Sequence, residues 1–229
     1  DVDVSSVTLG LMRIPPMSDA EIQTLFGAAR DSGVNVFDHA DIYGTHRHEC
    51  EERFGKAITL SASERDKVLI QSKVGIRKGY FDFSKEHILA TVDESLAALR
   101  MDYLDILLLH RPDTLMEPEE IAEAFDILEA AGKVRFFGVS NQTPGQVDLL
   151  KTAVKQKLVV NQVQLSITHA SLIASGISAN MAGLDQSIDP DNDKPHSARI
   201  KKHTLTAWRP SQRGGSDGVL PAEREEFAG

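Results

Sequence analysis

Four polar side chains from separate segments of the chain have the types needed for proton transfer: Asp38, Tyr43, Lys73 and His110. A tyrosine phenol has an unperturbed pKa of about 10, and a neighbouring ammonium group lowers that pKa because it favours the phenolate. A carboxylate beside the ammonium offsets the cost of burying the positive charge. Such a set can protonate an oxygen atom on which negative charge develops, as happens when hydride is added to a carbonyl group.

Secondary structure must bring these side chains together, and short apolar runs alternate with amphipathic stretches along the chain. This alternation is typical of βα units that build a parallel sheet. Helix starts between the apolar runs are indicated by Ser18 with Glu21, by Ser84 and by Thr143. The apolar runs predict seven strands, over Val7–Leu11, Asn35–Asp38, Val68–Lys73, Tyr103–His110, Val134–Val139, Leu158–Leu165 and Thr204–Trp208.

The turn after the first predicted strand helps to choose the architecture. An open dinucleotide-binding sheet needs a glycine-rich turn there, but Gly10–Pro15 has one glycine and no G-x-G-x-x-G pattern. We therefore predict an α/β fold, a (β/α)8 TIM barrel in a single domain over residues 1–229. Its mouth, where the carboxyl ends of the strands converge, would carry the polar residues Asp38, Lys73, His110, Ser140, Asn141 and Gln162.

Three segments in this order resemble the catalytic segments of the aldo-keto reductases. They are Asp-x-Ala-x-x-Tyr-Gly at 38–44, Ser-Lys-Val at 72–74 and Leu-Leu-x-His-x-Pro at 107–112. The sequences around Tyr43 and His110 are most similar to the bacterial oxidoreductase branch of that family, and the resemblance runs from Val7 to Pro210.

The resemblance implies an NADPH-dependent oxidoreductase that reduces an aldehyde or ketone to an alcohol by hydride transfer. In this interpretation Tyr43 is the general acid and Lys73 lowers its pKa. Asp38 is the partner of Lys73, and His110 orients the carbonyl oxygen. The physiological substrate is not indicated, because loops set specificity on this fold.

The resemblance also implies a binding site for NADP(H). Ser140, Asn141 and Gln162 resemble the residues that hold the carboxamide of the nicotinamide, which needs both hydrogen-bond donors and acceptors. Trp208 resembles the aromatic residue on which the nicotinamide ring stacks. Arg209 stands where the family usually has a small hydroxyl residue, and two interpretations are open: it contacts the pyrophosphate, or it points to solvent.

The pattern departs from the family after Pro210, where no eighth strand is predicted. A barrel of seven strands would expose two unpaired edges, which proteins normally avoid. Either the chain is truly shortened, or segments are missing and Gly214–Leu220 is a junction, so that 214–229 is atypical. The second explanation is favoured because Leu220–Phe227 resembles the start of the family's final helix. The choice of NADPH over NADH then rests on the resemblance alone.

Composition limits the partners. A net charge of -9 argues against general binding to nucleic acid or anionic membranes, so small molecules are expected instead. Cys50 is the single cysteine and cannot form an intramolecular disulfide. No apolar run is long enough to span a membrane and no signal-peptide pattern is present, so a cytoplasmic location is predicted.

Other functions remain open at this stage. A cofactor-binding or regulatory protein with little turnover would retain the same residues, and a metal-free barrel hydrolase could use Asp41 and Glu51 as a carboxylate pair. Lys73 near the same mouth argues against the hydrolase. His46, His48 and Glu49 lie close together, but alternate residues after a turn seldom converge on a metal, so no metal site is predicted.

Overall fold

The computed structural model describes residues 3–164, 204–208 and 218–221. The helices in this part of the chain are α1 (Asp19–Asp31), α2 (Glu49–Ala57), α3 (Ala62–Arg65), α4 (Lys85–Leu99), α5 (Pro118–Ala130) and α6 (Pro144–Leu150). The strands are β1 (Thr8–Gly10), β2 (Val36–Asp38), β3 (Leu69–Val74), β4 (Ile76–Arg77), β5 (Tyr80–Phe81), β6 (Leu104–Leu109), β7 (Val134–Ser140), β8 (Leu158–Gln164), β9 (Thr204–Trp208) and β10 (Gly218–Pro221).

Within the described residues, eight strands form a closed barrel in the order β1-β10-β9-β8-β7-β6-β3-β2. Apart from β10, the strands of the barrel pair in parallel, which confirms the predicted TIM-barrel fold. Strands β4 and β5 form a separate antiparallel hairpin after β3. Each of the seven predicted strands is present, with bounds that differ by a few residues.

The prediction that no eighth strand is present was wrong. Strand β10 pairs with both β1 and β9, in antiparallel register, and closes the barrel. It lies largely inside the segment Gly214–Leu220 that the sequence suggested as a junction. The strand escaped prediction because it is short, begins with glycine, ends with proline and lacks a long apolar run. Residues 209–217 and 222–229 lie outside the described residues, so the junction and the single domain over 1–229 stay predictions.

Aromatic packing fixes helix α2 beside strand β2. Phe37 on β2 is fully buried, and its ring centroid lies 4.7 Å from that of Phe26 on α1 and 6.2 Å from that of Phe54 on α2. Gly55 lies directly against the backbone of α4, where a Cβ atom would collide with the carbonyl oxygens of Ala98 and Leu99. The loop between β2 and α2, which carries Tyr43, is thus held between two packed elements.

A buried ion-pair network lies at the end of the barrel opposite the mouth. Asp105 near the start of β6 is fully buried and accepts a hydrogen bond of 2.9 Å from the backbone N–H of Ile70. Its carboxylate oxygens lie 2.7 Å from Arg65 Nη1 and 2.9 Å from Arg135 Nη1. Asp105 lies near the start of β6, whereas the mouth residue His110 follows the end of that strand. We therefore expect the ion-pair network to contribute to stability only.

We predict that Asp105→Asn lowers the free energy of unfolding by about 3 kcal/mol, since Arg65 loses its buried charge partner. Urea denaturation would measure the change. The matched control is Asp126→Asn, which alters a surface pair with Lys155 at 3.5 Å and should cost far less. An equal decrease in the free energy of unfolding in both variants would contradict the larger contribution expected from the buried network.

No helix in the described ranges is both long and apolar enough to cross a membrane.

Candidate active site

Lys73 near the end of β3 is the centre of a buried polar cluster at the mouth of the barrel. Its side chain is only 1% exposed. Its Nζ atom donates hydrogen bonds to Asp38 Oδ1 at 2.6 Å, to the carbonyl oxygen of His39 at 2.7 Å and to Tyr43 Oη at 3.0 Å. Each N–H of the ammonium therefore has an acceptor, as a buried charge requires.

The electrostatics of this cluster keep Lys73 charged. Burial lowers the pKa of Lys73, but the carboxylate of Asp38 and the phenol of Tyr43 outweigh burial and raise that pKa above its ordinary value. An ammonium is consequently present beside the phenol oxygen at neutral pH. The structure thus brings together three of the residues that the sequence singled out.

Asp38 at the end of β2 has two further partners, both amides. Gln71 Nε2 donates to Asp38 Oδ1 at 2.5 Å, and Gln162 Nε2 lies 3.4 Å from Asp38 Oδ2. Sequence reasoning missed Gln71, although it lies two positions before Lys73 on the same strand and so faces the same side of the sheet. It treated Gln162 as a cofactor residue only, whereas the amide also supports the carboxylate that pairs with Lys73.

Tyr43 is partly exposed, so its hydroxyl can reach both Lys73 and a molecule in the mouth. The loop around it has a defined conformation: the N–H of Tyr43 donates to the carbonyl oxygen of Ala40 at 3.1 Å, and the N–H of Cys50 donates to the carbonyl oxygen of Tyr43 at 3.2 Å. Gly44 has φ 117°, and a Cβ atom at that position would lie 2.5 Å from the carboxylate of Glu49. Glycine is therefore required directly after Tyr43.

His110 follows β6 and faces Tyr43. The two rings form an edge-to-face pair with centroids 6.0 Å apart. Burial, together with the positive charges of Lys73 and Arg111, holds the pKa of His110 well below its ordinary value. The imidazole is therefore neutral at neutral pH, and it can orient an oxygen by hydrogen bonding without competing with a tyrosine as the acid.

The predicted cofactor residues Ser140, Asn141 and Gln162 lie together where β7 and β8 end. Ser140 Oγ donates to the carbonyl oxygen of Gln162 at 2.9 Å, and Asn141 Nδ2 donates to Ser140 Oγ at 3.0 Å. Trp208 pairs through its backbone with Gln164, one strand further around the barrel. Arg209 lies outside the described residues. A hydroxyl beside two amides offers the mixed donors and acceptors that a carboxamide needs, so these residues fit a nicotinamide.

The residues considered for other chemistries lie beside the cluster and below the surface. Asp41 and Glu51 are both fully buried. Burial raises the pKa of Asp41 to about 7, against the opposing charge of Arg47. Because neither carboxylate is exposed at the mouth, they do not form a hydrolytic pair of the kind considered from the sequence.

The histidines after Tyr43 contact carboxylates instead of forming a metal centre. His48 Nδ1 lies 2.5 Å from Glu51 Oε2, and His46 Nε2 lies 3.2 Å from Glu52 Oε2. No group of three or more histidine, cysteine, aspartate or glutamate side chains within the described part of the chain is arranged to hold a metal ion.

Comparison with known proteins agrees with this fold. The sequence model of the Aldo/keto reductase family matches residues 6–182. An oxidoreductase of Bacillus subtilis (strain 168), YcsN, is 45% identical over 178 residues, which cover 72% of this chain and 59% of the relative. A 6-dehydroglucose reductase of Agrobacterium fabrum is 34% identical over 188 residues, covering 76% of this chain and 63% of the relative.

Among solved structures, a glycerol dehydrogenase from Gluconobacter oxydans is similar, with a TM-score of 0.69 and 26% sequence identity. The match covers 90% of this chain and 60% of the dehydrogenase chain. Fold and mouth thus define a closed barrel of the TIM type with a buried polar cluster at its mouth. The chain belongs to the aldo/keto reductase family. It spans about three fifths of the length of YcsN.

Proposed function

We propose that the protein reduces an aldehyde or ketone to an alcohol with NADPH, and that Tyr43 is the general acid. The observation that carries this proposal is the position of Lys73 Nζ, 2.6 Å from Asp38 Oδ1 and 3.0 Å from Tyr43 Oη. A buried ammonium with one carboxylate partner and one phenol partner is suited to stabilise a phenolate after proton transfer.

NADPH, when bound, supplies the hydride that adds to the carbonyl carbon. The carbonyl oxygen then gains negative charge, and the hydroxyl of Tyr43 donates its proton to that oxygen. Lys73 stabilises the resulting phenolate, while Asp38 compensates the charge of Lys73. Neutral His110 donates a hydrogen bond that aligns the carbonyl oxygen with Tyr43. A proton from solvent restores the phenol.

The cofactor would be held by residues from the ends of three strands. Ser140, Asn141 and Gln162 are proposed to bind the carboxamide, and Trp208 is proposed to stack against the nicotinamide ring. Arg209 is a candidate for contact with the pyrophosphate. The name of the relative from Agrobacterium fabrum makes sugar-derived aldehydes the first substrates to assay. A reducing, cytoplasmic location is proposed from the single cysteine.

A turnover assay tests the reaction. Purified protein is mixed with NADPH and a panel of aldehydes and ketones, and loss of NADPH absorbance is followed with and without each carbonyl compound. We expect oxidation that depends on the carbonyl compound, with one equivalent of alcohol formed for each NADPH consumed. Cofactor binding without turnover would favour the regulatory alternative, and absence of cofactor binding would contradict both interpretations.

Cofactor choice gives a second prediction. The full-length gene product should bind NADPH at least about tenfold more tightly than NADH, since each charge-assisted contact with the 2′-phosphate contributes about 1.5–3 kcal/mol. Quenching of tryptophan fluorescence gives both dissociation constants at moderate salt. Equal affinities would contradict the choice of NADPH and the idea that a phosphate-binding segment is missing from 214–229.

A further inference from the structure

Glu51 on helix α2 is a fully buried carboxylate that links this helix to the strand carrying Lys73. Its Oε1 atom accepts a hydrogen bond of 2.6 Å from Ser72 Oγ, and Ser72 directly precedes Lys73 on β3. Its Oε2 atom lies 2.5 Å from Nδ1 of His48, the N-cap residue directly before α2. One carboxylate therefore joins the end of the Tyr43 loop to the strand that positions the ammonium.

The backbone of the loop is tied to the same two elements. The N–H of Asp41 donates to the carbonyl oxygen of Lys73 at 3.3 Å, on the β3 side. The N–H of His48 donates to the carbonyl oxygen of Asp41 at 2.6 Å, and the N–H of Cys50 to that of Tyr43 at 3.2 Å, on the α2 side. A shift of α2 relative to β3 would consequently move Tyr43 relative to Lys73.

The surroundings of Glu51 supply its buried carboxyl group with polar partners. Burial alone would lower the pKa of His48, but its contacts with the carboxylates of Glu51 and Glu94 raise that pKa above its ordinary value. His48 therefore supplies positive charge next to Glu51. Other charged or titratable groups facing this cluster are Arg47 and Asp41 from the loop, His39 after β2, Cys50 on α2 and Glu94 on α4.

We propose that Glu51 is a positioning residue, which sets the distance between Tyr43 Oη and Lys73 Nζ by joining α2 to β3 through Ser72. This proposal rests on the proposed role of Tyr43 as the acid. Misplacement of a reacting group by about 1 Å can cost roughly 100-fold in rate, so even a partial shift of the loop is expected to be measurable. A merely structural Glu51 would support α2 without affecting the Tyr43–Lys73 contact.

The test compares Glu51→Gln, Ser72→Ala and their combination with a matched control, Glu52→Gln. Glu52 is the next residue on α2, also faces a histidine, but is exposed. For folded protein, we expect Glu51→Gln and Ser72→Ala each to lower kcat at least about tenfold with little change in the cofactor Kd. Because Glu51→Gln weakens the hydrogen bond that Ser72→Ala removes, the double variant should be no slower than the more impaired single variant.

A spectroscopic readout makes the test independent of turnover. The chain has three tyrosines, so the ionisation of Tyr43 can be followed by ultraviolet difference absorbance, with Tyr43→Phe as the reference. Ser72→Ala leaves every charge in place, and an upward shift in the pH at which Tyr43 ionises would therefore report a longer distance to Lys73. Glu51→Gln should shift it in the same direction, while Glu52→Gln should leave it unchanged.

The outcomes separate the positioning role from the proposed reaction. Upward shifts in Ser72→Ala and Glu51→Gln support the proposal, whether or not the wild-type protein reduces the carbonyl compounds tested. An unchanged ionisation of Tyr43 in folded Ser72→Ala overturns it, as do independent, multiplicative losses of kcat in the double variant. If Glu51→Gln does not fold, the Ser72→Ala titration alone decides.

Discussion

Replacing Tyr43 by phenylalanine should lower kcat by about 10²–10⁴-fold, because the variant lacks the only proposed proton donor for the carbonyl oxygen. The ring and its packing are retained. Lys73 loses its hydrogen bond to Tyr43 Oη but keeps those to Asp38 and to the carbonyl oxygen of His39, so its buried ion pair is retained. We therefore expect the free energy of unfolding and the cofactor Kd to change little. Steady-state kinetics, urea denaturation and fluorescence titration measure the three quantities.

Tyr80→Phe is the matched control for this variant. Tyr80 lies on the β4–β5 hairpin, is 53% exposed and has its ring against Arg77. Loss of its hydroxyl should leave kcat unchanged if the effect at Tyr43 is specific. Turnover close to that of the wild type in Tyr43→Phe would exclude Tyr43 as the acid and would leave the Lys73 cluster without its proposed role.

The fold was predictable to the extent that it depends on local periodicity. The apolar runs of β2, β3 and β6 are bounded by helices with clear start signals. Ser18 and Glu21 show this best, since each side chain caps the backbone of the other with hydrogen bonds of 3.3 and 2.7 Å. Strand β10 has no such pattern, because its place is determined by the two barrel edges that it pairs with and not by its own residues.

The candidate site was predictable in its strand-end residues but not in their supporting contacts. Asp38, Lys73 and His110 end parallel strands, so the topology alone brings them to one mouth. The bonds from Gln71 to Asp38 and from Ser72 to Glu51 join residues far apart in the chain, at 2.5 and 2.6 Å. The first depends on the register of β2 against β3 and the second on how α2 packs against β3, and no spacing in the sequence specifies either.

Lys73→Met should also reduce turnover strongly, and it should change the pH profile in a defined direction. Methionine has nearly the same length but no charge, so the phenol of Tyr43 loses the ammonium at 3.0 Å. Loss of an adjacent positive charge raises the pKa of an acid, so the phenol of Tyr43 should ionise at higher pH. Reduction requires the protonated phenol, so the alkaline limb of the kcat profile should move to higher pH, while kcat on the plateau falls at least about 100-fold.

The plateau and the limb test different consequences of the same contact. The plateau falls because a phenol of higher pKa is a weaker acid, and the limb moves because that phenol stays protonated at higher pH. Lys73→Met also leaves the buried carboxylate of Asp38 without its cation, so Asp38→Asn combined with Lys73→Met provides a neutral site if the single variant unfolds. Lys78→Met, at an exposed position in the hairpin turn, controls for loss of a lysine charge. A lower plateau with an unmoved alkaline limb would mean that Lys73 holds the site together without setting the acidity of Tyr43.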